Sequence, residues 1–427
     1  MANIEPLKGI IYNQAQIDDL SSVVCPPYDI ISPSQQQYYH HLNPHNFIRI
    51  LLGYDTPGED KYRRSAQIFK DWQKDEILVS DRSPAVYFYI QQYNLRGEKK
   101  TRMGFMARLR LEDKDSSIYT HEKTRVEPKE DRLKLLKAVK ANLSPIFVVF
   151  SDKKRVIRHI YENHIRERKP FMDITDPDKV NHKIWRLDDE ALLNKIKADM
   201  RSEDIFIADG HHRYEVARAY RDEMSKKAGA SGSEAGYNYI LAYFTNTNPS
   251  GLTIMPIHRL LKLPAKHDIQ RFIEKLKEYF DVEDVKDKTR FFFLMEKGGL
   301  TEHLLGMYCG RKYRFLRLKN VKILDKMISD KPAEYRSLDI SILNHIVLKK
   351  ILGIDLEDKQ TLAFSPDAGE LIEKADASES HIAFFINPVR VEQIISVAQA
   401  GENMPSKSTY FYPKVLSGLV INKYEEG

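Results

Sequence analysis

An acidic residue, a glycine, two histidines and an arginine follow one another at positions 209–213. The apolar run 205–207 precedes them and an amphipathic stretch follows, so the sequence predicts a buried strand leading into a helix that starts at His211. Glycine lets the backbone approach a ligand closely, and a helix start offers unpaired N–H groups and partial positive charge. The turn therefore suits a phosphate group, to which Arg213 can add a bidentate contact. The alternative is that Asp209 merely caps the helix while the histidines face solvent, but the whole cluster favours function.

A second carboxylate, Glu122, lies in the sequence His121-Glu122-Lys123-Thr124, between a predicted strand and a predicted helix. A glutamate in such a loop can act as general base for a bound hydroxyl group. Taken alone, the same pattern is that of a solvated turn. Glu122 is therefore a candidate only together with the cluster at 209–213.

Two further segments carry polar groups that suit a binding site. The prolines at positions 26 and 27 fix the backbone ahead of Tyr28 and Asp29, so this segment is either a substrate-facing loop or a structural turn. The pair Lys407-Ser408 combines a cation and a hydroxyl, as a phosphate contact would. Histidine spacing typical of zinc sites is missing from the sequence.

The composition is that of a globular protein. The 427 residues predict two domains, with a smaller third element as an option, and 42% are hydrophobic and 30% charged. The net charge of +6 can attract nucleotides or other anions, but acidic residues interrupt the basic runs, which argues against a nucleic-acid partner. The two cysteines, Cys25 and Cys309, exclude a disulfide framework. The first residues do not resemble a signal peptide and no apolar stretch is long enough for a bilayer, so we expect a cytoplasmic protein without a membrane partner.

Alternating strand and helix patterns predict an α/β (α+β) fold. The expected elements include helices over 32–42, 60–75 and 336–352, strands over 47–52 and 145–150, and a hairpin of 85–95 with 102–111. We expect three regions, an N-terminal α/β region at 1–112, a catalytic core at 113–262 and a C-terminal α+β region at 263–427.

The order of these motifs resembles a known superfamily. His121-Glu122, a helix, the strand at 145–150 and the cluster at 209–213 are similar to the core of the ParB/sulfiredoxin-like superfamily, in particular its free-serine kinases with their Asp-Gly-His-His-Arg motif. Over nearly its full length the chain also resembles a bacterial and archaeal family catalogued as a domain of unknown function. That wider resemblance rests on segments 24–33, 142–147 and 404–414 and on the histidine motif.

The resemblance implies phosphoryl transfer from ATP or ADP to a hydroxyl group of a small amino acid, most directly free L-serine giving O-phosphoserine, with Mg²⁺ as the phosphate partner. The catalytic residues that it implies are Glu122, Asp209 and His211. Those expected to bind phosphate or nucleotide are Gly210, His212, Arg213, Thr124, Lys407 and Ser408. Those expected to bind the substrate are His121, Tyr28, Asp29, Asn142 and Ser144. The metal ligands and the oligomeric state stay open, with a homodimer as one option.

Other members of the superfamily fit less well. Sulfiredoxins carry a reactive cysteine where this sequence has His211, and the DNA-partitioning branch has Glu-Arg-Arg and a helix-turn-helix that are not evident here. Two other functions stay open, a nucleotide-binding regulatory or DNA-associated module without small-molecule transfer, and a non-catalytic interaction protein.

Overall fold

The computed structural model describes residues 2–112, 117–122, 126–228, 235–248, 250–263, 268–354 and 361–424. The chain divides into two compact units. Unit 1 comprises Met1–Thr120, Thr124–Thr253 and Pro413–Gly427, and unit 2 comprises His121–Lys123 and Ile254–Tyr412. Each unit therefore contains segments that are distant in sequence.

The strands are β1 (Ile4–Glu5), β2 (Ile10–Tyr12), β3 (Leu78–Ser80), β4 (Val86–Leu95), β5 (Glu98–Arg110), β6 (Ile118–Tyr119), β7 (Ala141–Asn142), β8 (Ile146–Phe150), β9 (Met172–Thr175), β10 (Asn181–Leu187), β11 (Ile205–Asp209), β12 (Tyr239–Asn246), β13 (Thr253–Met255), β14 (His258–Lys262), β15 (Phe280–Val285), β16 (Leu304–Cys309), β17 (Lys312–Leu318), β18 (Leu362–Ser365), β19 (His381–Phe385), β20 (Tyr410–Tyr412) and β21 (Asn422–Lys423).

The α-helices are α1 (Pro33–Leu42), α2 (Ile48–Leu51), α3 (Lys61–Lys74), α4 (Val126–Val139), α5 (Val156–Ile160), α6 (Glu190–Met200), α7 (His211–Ala228), α8 (Ile269–Leu276), α9 (Lys288–Gly298), α10 (Ile323–Met327), α11 (Ala333–Arg336), α12 (Asp339–Ile342), α13 (Ala368–Asp376) and α14 (Val391–Gln399). Elements β1–β12, β21 and α1–α7 belong to unit 1, and β14–β20 and α8–α14 belong to unit 2.

A mixed sheet organises unit 1. Among the described residues, its strands follow the order β6-β11-β8-β12-β5-β4-β10-β9, with β1 paired to β5. Strand β8 runs parallel to β12 and antiparallel to β11. The central strand predicted at 145–150 is confirmed as β8, whose residues are all buried, and the predicted hairpin is confirmed as β4 and β5. The predicted α+β fold class is confirmed.

The two faces of this sheet differ in chemistry. Side chains alternate between the faces of a strand, and Phe88 and Phe105 lie on the apolar face, where they join residues of α5, α6 and α7 in one hydrophobic core. Tyr89, Gln91 and Arg102 lie at the alternate positions of β4 and β5 and are fully buried as well. The sheet therefore separates an apolar core from a buried polar layer.

Helix α1 begins where the sequence predicts. The Ser32 hydroxyl accepts a hydrogen bond from the Gln35 N–H at 3.2 Å, and the Gln35 side chain accepts one from the Ser32 N–H at 2.9 Å. This reciprocal cap, followed by Pro33, fixes the first turn. The helix predicted at 60–75 is confirmed as α3.

The strand predicted over 47–52 is wrong, because the segment contains helix α2. Asn46 explains the difference. Its side chain donates to the carbonyls of Ser22 and Val24 and accepts the N–H of Ile48 at 3.0 Å, which starts the helix. A short apolar run does not distinguish a buried helix from a strand.

Unit 2 contains an antiparallel sheet in the order β15-β17-β16-β19-β14-β18. Phe291 of α9 and Leu371 of α13 pack with residues of this sheet in a separate core. The helix predicted at 336–352 is confirmed over 339–351, where α12 continues as a π-helix at Leu343–Ile351, but its predicted start is wrong because extended Leu338 separates it from α11. The division at 112 and 262 stays a prediction. Within the described residues, no helix is both long and apolar enough to span a bilayer.

The apolar core of unit 1 gives a first prediction. Phe105 is fully buried and stacks on Phe244 at a ring distance of 5.0 Å. We expect Phe105→Ala to lower the free energy of unfolding by about 3–5 kcal/mol, because it removes buried surface and leaves a cavity. Urea unfolding followed by circular dichroism measures this. Tyr38→Ala, at a side chain that is 50% exposed, should change stability by less than about 1 kcal/mol. Equal losses in the two variants would contradict the assigned core.

Candidate functional site

The predicted turn from strand to helix is confirmed. Strand β11 ends at Asp209 and helix α7 starts at His211. Gly210, between them, has a φ of +89° and its carbonyl accepts the N–H of Tyr214 at 3.0 Å. A Cβ atom at position 210 would lie 3.0 Å from the Arg213 guanidinium. The backbone conformation therefore favours glycine here, and a side chain at this position would also crowd the Arg213 guanidinium.

The carboxylate of Asp209 contacts two cations. Its Oδ1 is 3.0 Å from Lys414 Nζ, and its Oδ2 is 3.1 Å from an Nη of Arg213. The side chains of Lys414 and Arg213 are only 11% and 12% exposed. These three groups together carry one more positive than negative charge, beside the partial positive charge of a helix start. The arrangement suits a bound anion.

The pKa of the Asp209 carboxyl is low. Burial, the largest influence, raises it, but the charges of Lys414 and Arg213 together with the Lys414 hydrogen bond outweigh burial and lower the pKa to about 2. Asp209 is therefore ionised at neutral pH and acts as a hydrogen-bond acceptor.

Arg213 also braces the turn against the start of β8. Its guanidinium donates to the Pro145 carbonyl and to the Ser144 hydroxyl, the latter at 3.3 Å. Since the same guanidinium binds Asp209, it joins the end of β11, the first turn of α7 and the segment before β8. Ser144, predicted to bind substrate, thus lies in contact with the predicted phosphate-binding arginine.

A small cavity of about 60 Å³ lies beside Arg213 in unit 1. This volume corresponds to roughly two water molecules. Its wall combines polar and apolar side chains: Tyr28, Leu51, Arg132, Leu135, Leu136, Ala141, Asn142, Leu143, Ser144, Arg213, Val216 and Ile240. The structure therefore brings three of the predicted substrate residues, Tyr28, Asn142 and Ser144, to one cavity. Asp29, by contrast, is exposed.

The phenol of Tyr28 stays protonated at neutral pH. Burial, and next the charge of Asp29, raise its pKa to about 12, although Arg213 and Arg132 act in the opposite direction. The Arg132 guanidinium lies over the Tyr28 ring, 4.3 Å from its centroid. Tyr28 can therefore offer a hydroxyl donor within the electrostatic range of the Asp209 cluster.

Asn142 holds the C-terminal strand in addition to lining the cavity. Its amide donates to the Tyr424 hydroxyl at 2.9 Å and its oxygen accepts from the Asn422 side chain at 2.8 Å and the Leu241 N–H at 3.1 Å. These bonds give Asn142 a structural role, and its predicted role in substrate binding stays a prediction.

The two histidines of the motif differ in exposure. His211 is 2% exposed, whereas His212 is half-buried. His211 contributes to lowering the pKa of Asp209, so its ring lies within electrostatic range of that carboxylate. The catalytic role of His211 and the phosphate-binding role of His212 stay predictions.

His121 and Glu122 belong to unit 2. His121 is buried and its carbonyl accepts the N–H of Met404 at 2.7 Å, while Glu122 is half-buried. The predicted approach of Glu122 to the turn at 209–213 stays a prediction, and Thr124 lies outside the described residues.

Lys407 and Ser408 lie in a loop of unit 2 that Arg259 holds. The buried Arg259 guanidinium donates to the carbonyls of Ser406 and Lys407 at 3.3 and 2.8 Å. Lys407 is exposed with a φ of +58°, and the buried Ser408 hydroxyl donates to the Pro405 carbonyl. The phosphate-binding role predicted for both residues stays a prediction.

Two residues near the turn were not predicted as site residues. Lys414 ends the motif at 404–414, but it lies 205 positions from Asp209 and no local pattern connects them. Arg132, in α4, donates to the Leu51 carbonyl at 2.8 Å and lies over the Tyr28 ring. The one sequence signal for Lys414 is its place as a basic residue at the end of the motif at 404–414.

Comparison with known proteins places the chain in a family. A family model described as "Protein of unknown function (DUF1015)" matches residues 4–341, well over half of the sequence. The chain belongs to this family. No curated protein matches this DUF1015 chain.

Several solved structures overlap with this DUF1015 chain in part. A free serine kinase in complex with AMP is similar at 13% identity and a TM-score of 0.30, over 69% of this chain and 83% of that one. The protein SbnI from Staphylococcus aureus, with a C-terminal truncation, is similar at 11% identity and a TM-score of 0.37, over 74% of this chain and 86% of that one. A conserved hypothetical protein from Pyrococcus furiosus is similar at 13% identity and a TM-score of 0.31, over 70% and 89% of the two chains.

The low pKa of Asp209 gives a second prediction. Because its folded-state pKa of about 2 lies below the unfolded value, its ionic contacts stabilise the fold fully above about pH 5, and that contribution is lost as the pH falls toward 2. We expect Asp209→Asn to lower the free energy of unfolding by about 2–3 kcal/mol at pH 7. The difference in the free energy of unfolding between this variant and the native protein should be smaller by about 1 kcal/mol at pH 3.

Chemical denaturation at pH 7 and pH 3 measures both values. Asp204→Asn is the matched control, since Asp204 is exposed in the same unit. If Asp209→Asn lowers the free energy of unfolding at pH 7 by no more than the control does, the contacts of Asp209 with Lys414 and Arg213 do not stabilise the fold.

Proposed function

We propose that this protein is a nucleotide-dependent kinase that phosphorylates a hydroxyl group of a small amino acid, most directly free L-serine. The observation that carries the proposal is the Asp209 cluster at the start of α7, where two buried cations share one carboxylate. Phosphoryl transfer needs positioning and neutralisation of charge more than covalent chemistry, and a helix start with an arginine supplies both.

Different residues at the turn bind the nucleotide phosphates and the acceptor. The first N–H groups of α7 and the Arg213 guanidinium hold the phosphates of ATP or ADP. Asp209 keeps the guanidinium in place through the contact at 3.1 Å. The cavity beside Arg213 takes the head of a small acceptor, with the Tyr28 hydroxyl as a donor.

The proposed reaction moves one phosphoryl group. The Glu122 carboxylate accepts the proton of the acceptor hydroxyl, whose oxygen forms a bond to the terminal phosphorus of the nucleotide. The bond from that phosphorus to the bridging oxygen breaks, and its electron pair leaves with ADP or AMP.

Mg²⁺ is part of the proposal as the partner of the phosphates. Within the part of the chain that the structure describes, no three His, Cys, Asp or Glu side chains form a metal-binding group. Mg²⁺ usually keeps several waters and is bound through substrate phosphates with one or two carboxylates. Lys414 and Arg213 contact both carboxylate oxygens of Asp209, so the ion would be held mainly by the phosphates and water, and it would supply further neutralisation of phosphate charge.

The proposed activity gives a third prediction. With Mg²⁺ and either ATP or ADP, purified protein should convert L-serine to O-phosphoserine, visible by phosphorus NMR as a new phosphomonoester signal. Glu122→Gln should lower kcat by about 100-fold or more, because the base is lost, while the fold stays intact by circular dichroism.

Glu392→Gln, at an exposed glutamate of the same unit, should keep native turnover. If no phosphomonoester forms with serine or with other small hydroxyl compounds, the kinase proposal is wrong. Slow nucleotide hydrolysis that no acceptor accelerates would instead favour a nucleotide-binding regulatory protein.

A further inference from the structure

The segment that carries Lys414 is held on the buried polar layer of unit 1. Arg102 donates to the Pro413 carbonyl, and the Gln91 amide donates to the Lys414 carbonyl at 2.9 Å. Further along, Ser417 exchanges two backbone hydrogen bonds with Cys25, at 2.8 and 3.3 Å. The main chain is therefore fixed on both sides of Lys414.

Arg102 and Gln91 act as one group. They are directly opposite each other on β5 and β4, and Arg102 Nε donates to Gln91 Oε1 at 2.9 Å. Both side chains are fully excluded from solvent, and the Arg102 guanidinium lies over the ring of Phe147, 4.6 Å from its centroid. Burying such polar groups is costly unless they are hydrogen-bonded. The carbonyls of residues 413 and 414 accept hydrogen bonds from these buried groups, which fixes the segment at one position on the sheet.

The side chain of Lys414 extends from this fixed main chain to the turn at 209–213, where we propose that phosphate binds. Its ammonium group reaches Asp209 at 3.0 Å and is 11% exposed. A flexible lysine held by surface contacts would lose much side-chain entropy on binding a ligand. The Lys414 side chain is already ordered in the folded protein, so binding an anion costs little further entropy and can be tight.

We propose that Lys414 is a phosphate-binding residue of this site, kept in place by Asp209 and by the buried pair of Arg102 and Gln91. This inference rests on the proposed function, because it names a further residue of the same site. An incoming phosphate shares the ammonium group with Asp209, so that Lys414 and Arg213 bind the anion from two sides. Arg102 and Gln91 are positioning residues that act through Lys414.

The test measures binding separately from turnover. ADP and inorganic pyrophosphate are titrated into the full chain by calorimetry, for the native protein, Lys414→Met and Lys414→Arg. Loss of one charge-assisted hydrogen bond should weaken both ligands by roughly 10- to 100-fold in Lys414→Met. Lys414→Arg should recover part of the affinity, and adenosine binding should not change.

The matched control is Lys423→Met. Lys423 lies in the same C-terminal segment, but it is exposed and its Nζ contacts Gln73 at 2.9 Å. Affinities of Lys414→Met within twofold of the control would overturn the inference, as would a native protein that binds neither ADP nor pyrophosphate. If the native protein binds both ligands but phosphorylates no acceptor, the kinase proposal fails while the role of Lys414 is still decided by the affinities.

The positioning role has its own readout. Gln91→Met removes the amide that donates to the Lys414 carbonyl and should weaken ADP binding about 3- to 10-fold. In the Lys414→Met background the same substitution should have no further effect on ADP binding, since its effect passes through Lys414. Additive losses in the double variant would show that Gln91 acts only on the general stability of the unit.

Discussion

The interaction on which the rest of unit 1 depends is the contact of one carboxylate, Asp209, with two buried cations. Arg213 reaches it from the first turn of the following helix, and Lys414 reaches it from the far end of the chain. Removing the carboxylate would leave two cations close together in a largely buried place, which is costly. The shared contact therefore joins three parts of the chain at the position where a helix start favours an anion.

The sheet of unit 1 allows the contact of Asp209 with Lys414 because its two faces have different functions. The apolar face stabilises the unit through a core that includes Phe105. The opposite face buries Arg102 and Gln91, which donate hydrogen bonds to the carbonyls of Pro413 and Lys414 in the C-terminal segment. One side of these strands thus stabilises the unit, and the other side positions residues of the site. The polar side chains can therefore bind the C-terminal segment without weakening the apolar core.

The sequence allowed part of this to be predicted. The turn at Gly210 follows from local signals, an apolar run, a glycine and a polar helix start, and it is confirmed. The strand predicted over 47–52 failed because Asn46, through three hydrogen bonds, directs the backbone into a helix. Lys414 could not be assigned, since its contact with Asp209 depends on long-range hydrogen bonds of the polar layer and no periodic pattern encodes them. Tyr28 and Ser144 were predicted from motifs, and the structure places both beside Arg213.

A crystal structure of the protein with ADP, Mg²⁺ and L-serine tests the central claim most directly. The account predicts phosphate oxygens within about 3 Å of Arg213 and of the first backbone N–H groups of α7, with the serine side chain in the cavity next to Tyr28. A nucleotide bound at another surface, with the start of α7 in contact only with water, would contradict it.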